Sequence, residues 1–336
     1  MLDYTTLEKI DSQKMYQVYD RWPEIAKNAF NDDVNPVSYE GIDHIVFSGM
    51  GGSGALSDIF AAILSKTNTH VCVVKGYHLP KTVDENTLVV ATSISGNTAE
   101  TLSVLSSALE QNCNVVAFSA GGKMEEFCSK KNIIYNKINQ IHSPRASFPI
   151  FLYSMLKALE SVLPINKQDV IESLDKLEAQ KNSISSENLT SDNPAISLAR
   201  WIKGIPLIYY PWGLQAVAIR FKNSLQENAK LHVIAENVIE ACHNGIVSWE
   251  KSSVVQPILI EGHDDYIKTK ERWNILKKYF DKNGIEYHEI MSVKGGILSK
   301  LINLIYLLDY TSIYKAVLSK VDPSPIRSID YIKSHL

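Results

Sequence analysis

Two doubly wound α/β domains, each a parallel sheet between helical layers, are the architecture this sequence predicts, on three observations. Apolar runs of four to six residues alternate with segments of helical period, as in strands buried on both faces of a parallel sheet. That rhythm is heard twice, over the first half and again from residue 205. The length of 336 residues suits two domains of about 150 residues each, with the division expected as 1–155 and 156–336.

The elements follow in order. Leu7, Ile10, Met15, Val18, Tyr19 and Trp22 recur at helical spacing, so residues 4–30 are expected to form one leading helix. A strand at 44–48 runs into a glycine loop and a helix over 55–64. Strands at 71–74, 87–92 and 115–119 and a helix over 98–109 continue the alternation. Helical stretches at 148–163 and 168–181 lead to 182–193 (NSISSENLTSDN), polar, rich in Ser and Asn, and expected as a linker. The second series opens with a strand at 205–210, then Pro211-Trp212-Gly213 and a helix ending near Ala229. Strands at 255–260 and 287–290 and helices at 266–280 and 298–318 complete it. Asp322-Pro323-Ser324-Pro325 breaks the chain before a last short helix. No period of 20–50 residues argues for a solenoid.

Composition excludes several classes. Hydrophobic residues at 45% and charged residues at 21% are an ordinary globular balance, and a net charge of −3 offers no overall attraction to nucleic acid or an anionic membrane. The N-terminus lacks the apolar core of a signal peptide, and no run reaches the roughly 18 uninterrupted apolar residues of a membrane span. Cys72, Cys113, Cys128 and Cys242 form no CxxC pair, so reduced thiols and a cytoplasmic location are expected. Cys242 beside His243 could be a nucleophile or half a metal site, but no further ligands stand near it, and neither metal nor cofactor is expected.

Two loops carry chemistry. Ser48-Gly49-Met50-Gly51-Gly52-Ser53-Gly54 lies between a strand and a helix, where glycines let the backbone approach a ligand and the helix N-terminus presents N–H groups to an anion. Gly49, Gly51 and Gly54 also fit the dinucleotide pattern, but the next strand ends Val73-Val74-Lys75-Gly76 without the carboxylate that would hold a ribose. Lys75 could instead favour a 2′-phosphate, and a plain strand–helix turn would look the same. Thr92-Ser93-Ile94-Ser95-Gly96-Asn97-Thr98 weighs against both alternatives. It too leaves a strand for a helix, and it gathers hydroxyls around a glycine in a way that suits a compact monophosphate. Two such loops at the C-terminal ends of parallel strands would converge where open α/β sheets bind ligands, and they point to a phosphosugar.

GMGGSG followed by SISGNTAET resembles the sugar isomerase (SIS) domain. His142-Ser143-Pro144-Arg145-Ala146, the stretch RFKNSLQENAK from Arg220 to Lys230, His243-Asn244, and Val321-Asp322-Pro323-Ser324-Pro325 before a C-terminal lysine follow in order. Together they are similar to the bifunctional phosphoglucose/phosphomannose isomerase family over nearly the whole chain. Ile94 departs from it, since many members carry an aromatic there; its side chain is expected in the strand core. The resemblance implies two SIS domains and isomerisation of glucose 6-phosphate, and of mannose 6-phosphate, to fructose 6-phosphate through a cis-enediol. It implies phosphate binding by Ser53, Ser93, Ser95 and Thr98 with the backbone N–H groups of Gly51 and Gly52. Glu227 is implied as the base, His243 and Lys333 as ring-opening groups, Arg145 as the enediolate's counter-charge, and a homodimer by analogy. Ser324 is a small residue that could leave room for both C2 epimers.

Other functions fit less well. A phosphosugar-sensing regulator would need a DNA-binding module, and roughly 40 residues before the first strand are too few for the usual one. A glucosamine-6-phosphate synthase would need a glutaminase domain that this length cannot hold, and a zinc-dependent mannose-6-phosphate isomerase would need a ligand cluster that the sequence lacks.

Overall fold

The expected leading helix is three: α1 (Tyr4–Ile10), α2 (Met15–Asp20) and α3 (Trp22–Asn31). Lys14 turns the chain with a positive φ of 54°, and Pro23, which has no N–H to donate, stands in the first turn of α3. The description covers residues 2–335 of a computed structural model. Residues Arg21–Leu174 form one compact unit; the chain up to Asp20 and everything from Asp175 onward form the other. This division departs from 1–155 and 156–336 in two places: it falls inside a helix, and the first twenty residues join the C-terminal half.

In the first of these units, β1 (His44–Ser48), α4 (Gly51–Leu64), β2 (His70–Val74), β3 (Thr87–Ser93), α5 (Ala99–Glu110), β4 (Asn114–Ser119), α6 (Gly122–Lys131), β5 (Ile134–Lys137) and α7 (Phe148–Ala158) follow in sequence. The strands are parallel in the order β2-β1-β3-β4-β5. Alternate residues serve opposite faces. Val46, Val89, Ala91, Val115 and Ala117 pack with Val104, Leu105 and Ala108 of α5 and Met124 and Cys128 of α6. The intervening Ile45, Phe47, Leu88, Val90, Val116 and Phe118 are just as buried, and Phe47 stacks on Phe60 of α4 at 5.0 Å. The sheet is covered on both sides, hence the unbroken apolar strands.

The other unit takes up the chain within α8 (Lys167–Ile184) and adds α9 (Pro194–Trp201), β6 (Ile205–Tyr210), α10 (Gln215–Ala229), β7 (Ile234–Asn237), α11 (Val238–Ala241), β8 (Val255–Glu261), α12 (Ile267–Lys282), β9 (His288–Met291), α13 (Ile297–Leu318) and α14 (Arg327–Lys333). Its parallel sheet runs β7-β6-β8-β9. Leu207, Tyr209 and Leu259 face Trp273, Leu276 and Phe280 of α12, while Ile208, Ile258 and Ile260 are buried on the opposite face. Helix α13 is long and apolar enough to cross a membrane by length and composition, but 83% of that stretch is buried inside the protein. It packs on α10, α9, α1 and α2.

Tyrosines four residues apart on α13 explain why the N-terminus belongs here. Tyr306 donates to the Tyr19 carbonyl at 2.8 Å, Tyr310 to Asp20, and Tyr314 to the Ile184 carbonyl at 2.7 Å. The stretch 182–193 is not a linker. Ser185 and Asn193 are buried, and Asn193 caps α9 by accepting from Ala195 and Ile196 at 2.9 and 3.2 Å. Asn188 and Asn193 also donate to backbone carbonyls of the turn, while Glu187, Thr190, Ser191 and Asp192 stay exposed.

Candidate active site

Strand β1 has β2 on one side and β3 on the other, so successive connections leave in opposite directions and a crevice opens beyond the C-terminal ends of β1 and β3. The two expected loops stand at that switch point. Gly51 carries φ of +54° and begins α4, four residues earlier than the helix expected from Ala55. Ser53 is buried, and its hydroxyl accepts from the Ile94 N–H at 3.1 Å. It therefore ties the first loop to the second, with its own O–H left to donate.

The second loop is braced from behind. Gly96 has φ of +70°, and a Cβ there would stand 1.7 Å from the Gly121 carbonyl oxygen. The loop exchanges hydrogen bonds with the turn after β4: Ala120 N–H to Ile94 O at 3.0 Å, Met124 N–H to Gly96 O at 2.9 Å, and Lys123 N–H to Asn97 Oδ1 at 3.1 Å. Ser93 and Thr98 hydroxyls share a hydrogen bond at 2.8 Å, while Ser95 is exposed and accepts from the Asn97 N–H at 3.3 Å. Thr98 starts α5 with extended backbone and leaves the first N–H groups of that helix uncapped by its own side chain. Ile94 is buried, as expected.

A third segment closes on the same place. A Cβ on Gly52 would lie 3.4 Å from the Pro144 carbonyl and 3.6 Å from Ile94, so the chain around Pro144 lies against both loops. His142 has φ of +59°, and Ser147 holds the turn by accepting from the Ile141 N–H at 2.8 Å. Trp22 donates its indole N–H to the Ala146 carbonyl at 3.1 Å. Arg145, whose simpler reading is a surface cation, is only 4% exposed. On the other side of the first loop Lys75 pairs with Asp58 at 2.5 Å, and burial raises the Asp58 carboxyl's pKa against that partner.

In the other unit Glu227 lies half-buried in the last turn of α10. The neighbouring Asn228 donates to Ser312 Oγ at 2.8 Å. Earlier on the same helix, Arg220 donates to Asp309 through Nη2 at 2.5 Å and Nε at 3.1 Å; Ser224 and Tyr19 also donate to that carboxylate, at 2.8 and 3.1 Å. Arg220 and Asp309 are both buried, so the helix bearing Glu227 is anchored to α13 by a satisfied ion pair. Lys230 bonds the Glu227 carbonyl and those of Pro323 and Pro325, bringing Ser324 to the same helix end. His243 is exposed in the turn after α11, and Lys333 is exposed at the end of α14. Burial pushes the Cys242 thiol up, away from the thiolate a nucleophile needs. Among the described residues no three His, Cys, Asp or Glu side chains group to hold a metal.

The SIS domain model matches residues 39–148, and the model of the bacterial phospho-glucose isomerase C-terminal SIS domain matches residues 191–336. A bifunctional phosphoglucose/phosphomannose isomerase from Caldicellulosiruptor bescii is 32% identical over 327 residues, 93% of this chain and 94% of that protein. The chain belongs to the bifunctional phosphoglucose/phosphomannose isomerase family. A protein of the same name from Aquifex aeolicus is 30% identical over 322 residues, 94% of each chain. Among solved structures, a hypothetical protein from Thermus thermophilus matches with a TM-score of 0.75 over 98% of this chain and 92% of that one; at 13% identity, that likeness speaks for the fold alone.

Within this phosphoglucose/phosphomannose isomerase family assignment, the first matched segment spans both loops and Arg145, and the second spans Glu227, His243, Ser324 and Lys333. Sequence reading missed the brace at Gly121-Gly122, although Ser119-Ala120-Gly121-Gly122 repeats the strand–glycine–helix pattern of the first loop. It also missed Lys230, which motif spacing alone would not separate from a solvated cation.

Proposed function

We propose that this protein interconverts glucose 6-phosphate, and mannose 6-phosphate, with fructose 6-phosphate, and that the residues expected from sequence divide the work as follows. The phosphate is held by Ser53, Ser93, Ser95 and Thr98 with the N–H groups of Gly51 and Gly52. His243 and Lys333 assist ring opening by moving a proton to and from the ring oxygen. Glu227 then removes the C2 proton of the open-chain aldose. The C2–H electrons become the C1–C2 double bond of an enediolate, whose negative charge Arg145 offsets. The carboxyl returns the proton to C1 while the C2 hydroxyl proton passes to the C1 oxygen, leaving a C2 carbonyl and a C1 hydroxyl, and the ketose forms. No electron leaves the sugar, so the reaction needs no external oxidant.

The observation that supports this reading is the hydrogen bond from Ile94 N–H to Ser53 Oγ at the β1/β3 switch point, which ties the two loops together where an anion would sit. A tight turn without a ligand has no need to meet a second hydroxyl-rich loop there. Replacing Ser95 and Thr98 together by Ala removes hydrogen bonds to a charged group, worth ~1.5–3 kcal/mol each. Affinity for fructose 6-phosphate, measured by calorimetry, is expected to fall at least ten-fold; an unchanged affinity would refute the cradle. A dimer, suggested by the family resemblance, and a cytoplasmic location, expected from the unpaired cysteines, complete the reading.

A further inference from the structure

The segment Asp322-Pro323-Ser324-Pro325 has little backbone bonding available, because its two prolines lack N–H groups. It is held by side chains instead. Asp322 accepts from the Ser324 N–H at 3.0 Å through Oδ1 and from the Ser12 hydroxyl at 2.5 Å through Oδ2. From the other side the Lys230 ammonium donates to the Pro323 carbonyl at 3.5 Å and the Pro325 carbonyl at 2.8 Å. Ser324 sits between these two holds and is 8% exposed. The same ammonium donates to the Glu227 carbonyl, one of the last-turn carbonyls that a helix leaves without an internal partner.

Lys230 itself occupies the left-handed position that ends α10, with φ of +58°, where glycine or asparagine is the usual residue. A lysine bears a strain cost there that glycine would avoid, and its side chain supplies three donors to three carbonyls. The ammonium therefore couples the helix turn that carries Glu227 to the strap that carries Ser324.

We propose that Lys230 is a positioning residue that sets epimer specificity. It fixes Ser324 relative to Glu227, and with it the room the sugar's C1–C2 end has to rotate about C2–C3. This inference rests on the roles given above to Glu227 and Ser324, and it adds a residue that touches no substrate atom. A strap held at both ends admits the two epimers in a set proportion; a strap released at either end changes that proportion. The phosphate loops lie elsewhere in the sequence, so KM should move little.

The test compares turnover of mannose 6-phosphate and glucose 6-phosphate by purified full-length protein. Lys230→Met keeps the aliphatic stem and loses the three donors. It should change the ratio of the two kcat values at least three-fold with KM within two-fold of wild type, and Lys230→Arg should restore the ratio to within two-fold. Ser12→Ala releases the strap from its other end and should also shift the ratio; if Lys230→Met does not fold, Lys230→Gln, which removes the charge and shortens the reach, takes its place. Folded variants that lose kcat equally on both sugars, or keep the wild-type ratio, overturn the proposal. Retention of activity by Glu227→Gln would instead overturn the reaction scheme, so the two failures are distinguishable.

Discussion

Two buried ionisable residues behave in opposite ways, and both are testable singly. Asp309 accepts from Arg220, Ser224 and Tyr19 with no exposure to water, so its charge is met on every side. Asp309→Asn keeps the shape but leaves the guanidinium without a counter-charge, and breaking such a pair costs ~3–5 kcal/mol. Urea denaturation should show that loss; a change below about 1 kcal/mol would mean the guanidinium finds another anion. His44 is the reverse case. Burial and the neighbouring His70, whose ring stacks on it at 4.4 Å, lower its pKa, while Asp84 and Asp43 act against them. The native state then binds fewer protons than the unfolded one, whose histidine titrates near ~6.5. Stability is full above that value and is lost as pH falls through the lowered native pKa. Denaturation midpoints between pH 8 and 5 should fall less steeply in His44→Gln than in wild type; equal slopes would clear His44 of the effect.

At the scale of elements, the hydroxyl-rich loop after β3 depends on its neighbour as much as on its own residues. Gly96 is required both by its positive φ and by the approach of the Gly121 carbonyl. Gly96→Ala forces the brace after β4 to move, at ~1–3 kcal/mol for the backbone conformation alone. Weaker binding of fructose 6-phosphate together with a lower melting temperature is expected; wild-type affinity would show that the brace does not shape the cradle. Elements buried on two faces were legible in the sequence, and β1, β4 and β6 fall where their apolar runs lie. Of the four edge strands, β2 and β9 were placed and β5 and β7 were not. Their sequences IYNK and IAEN carry polar residues because one side of an edge strand has no partner strand. The leading helix was misread because the apolar positions keep helical phase across the Asp11–Lys14 turn. The residues 182–193 were misread as a linker because polar side chains that cap a buried turn have the composition of a solvated loop.

At the scale of the whole molecule, the two-sheet architecture was readable from the sequence, whereas the division of the chain was not. That division depends on Tyr306, Tyr310 and Tyr314 meeting Tyr19, Asp20 and Ile184, contacts between residues far apart in sequence that no local pattern announces. Lys230 escaped for the same reason, since two of its three acceptors lie more than ninety residues on. The proposed scheme gives phosphate binding to one matched segment and proton transfer to the other, so the two functions should separate by mutation. Glu227→Gln preserves the side chain's shape and removes the acceptor, and loss of a general base lowers rates by ~10²–10⁴-fold. The most direct measurement is exchange of the C2 hydrogen of glucose 6-phosphate with deuterated solvent, followed by NMR alongside binding. The account predicts near wild-type affinity for the sugar phosphate in Glu227→Gln and exchange slowed at least a hundred-fold; exchange at the wild-type rate would contradict it.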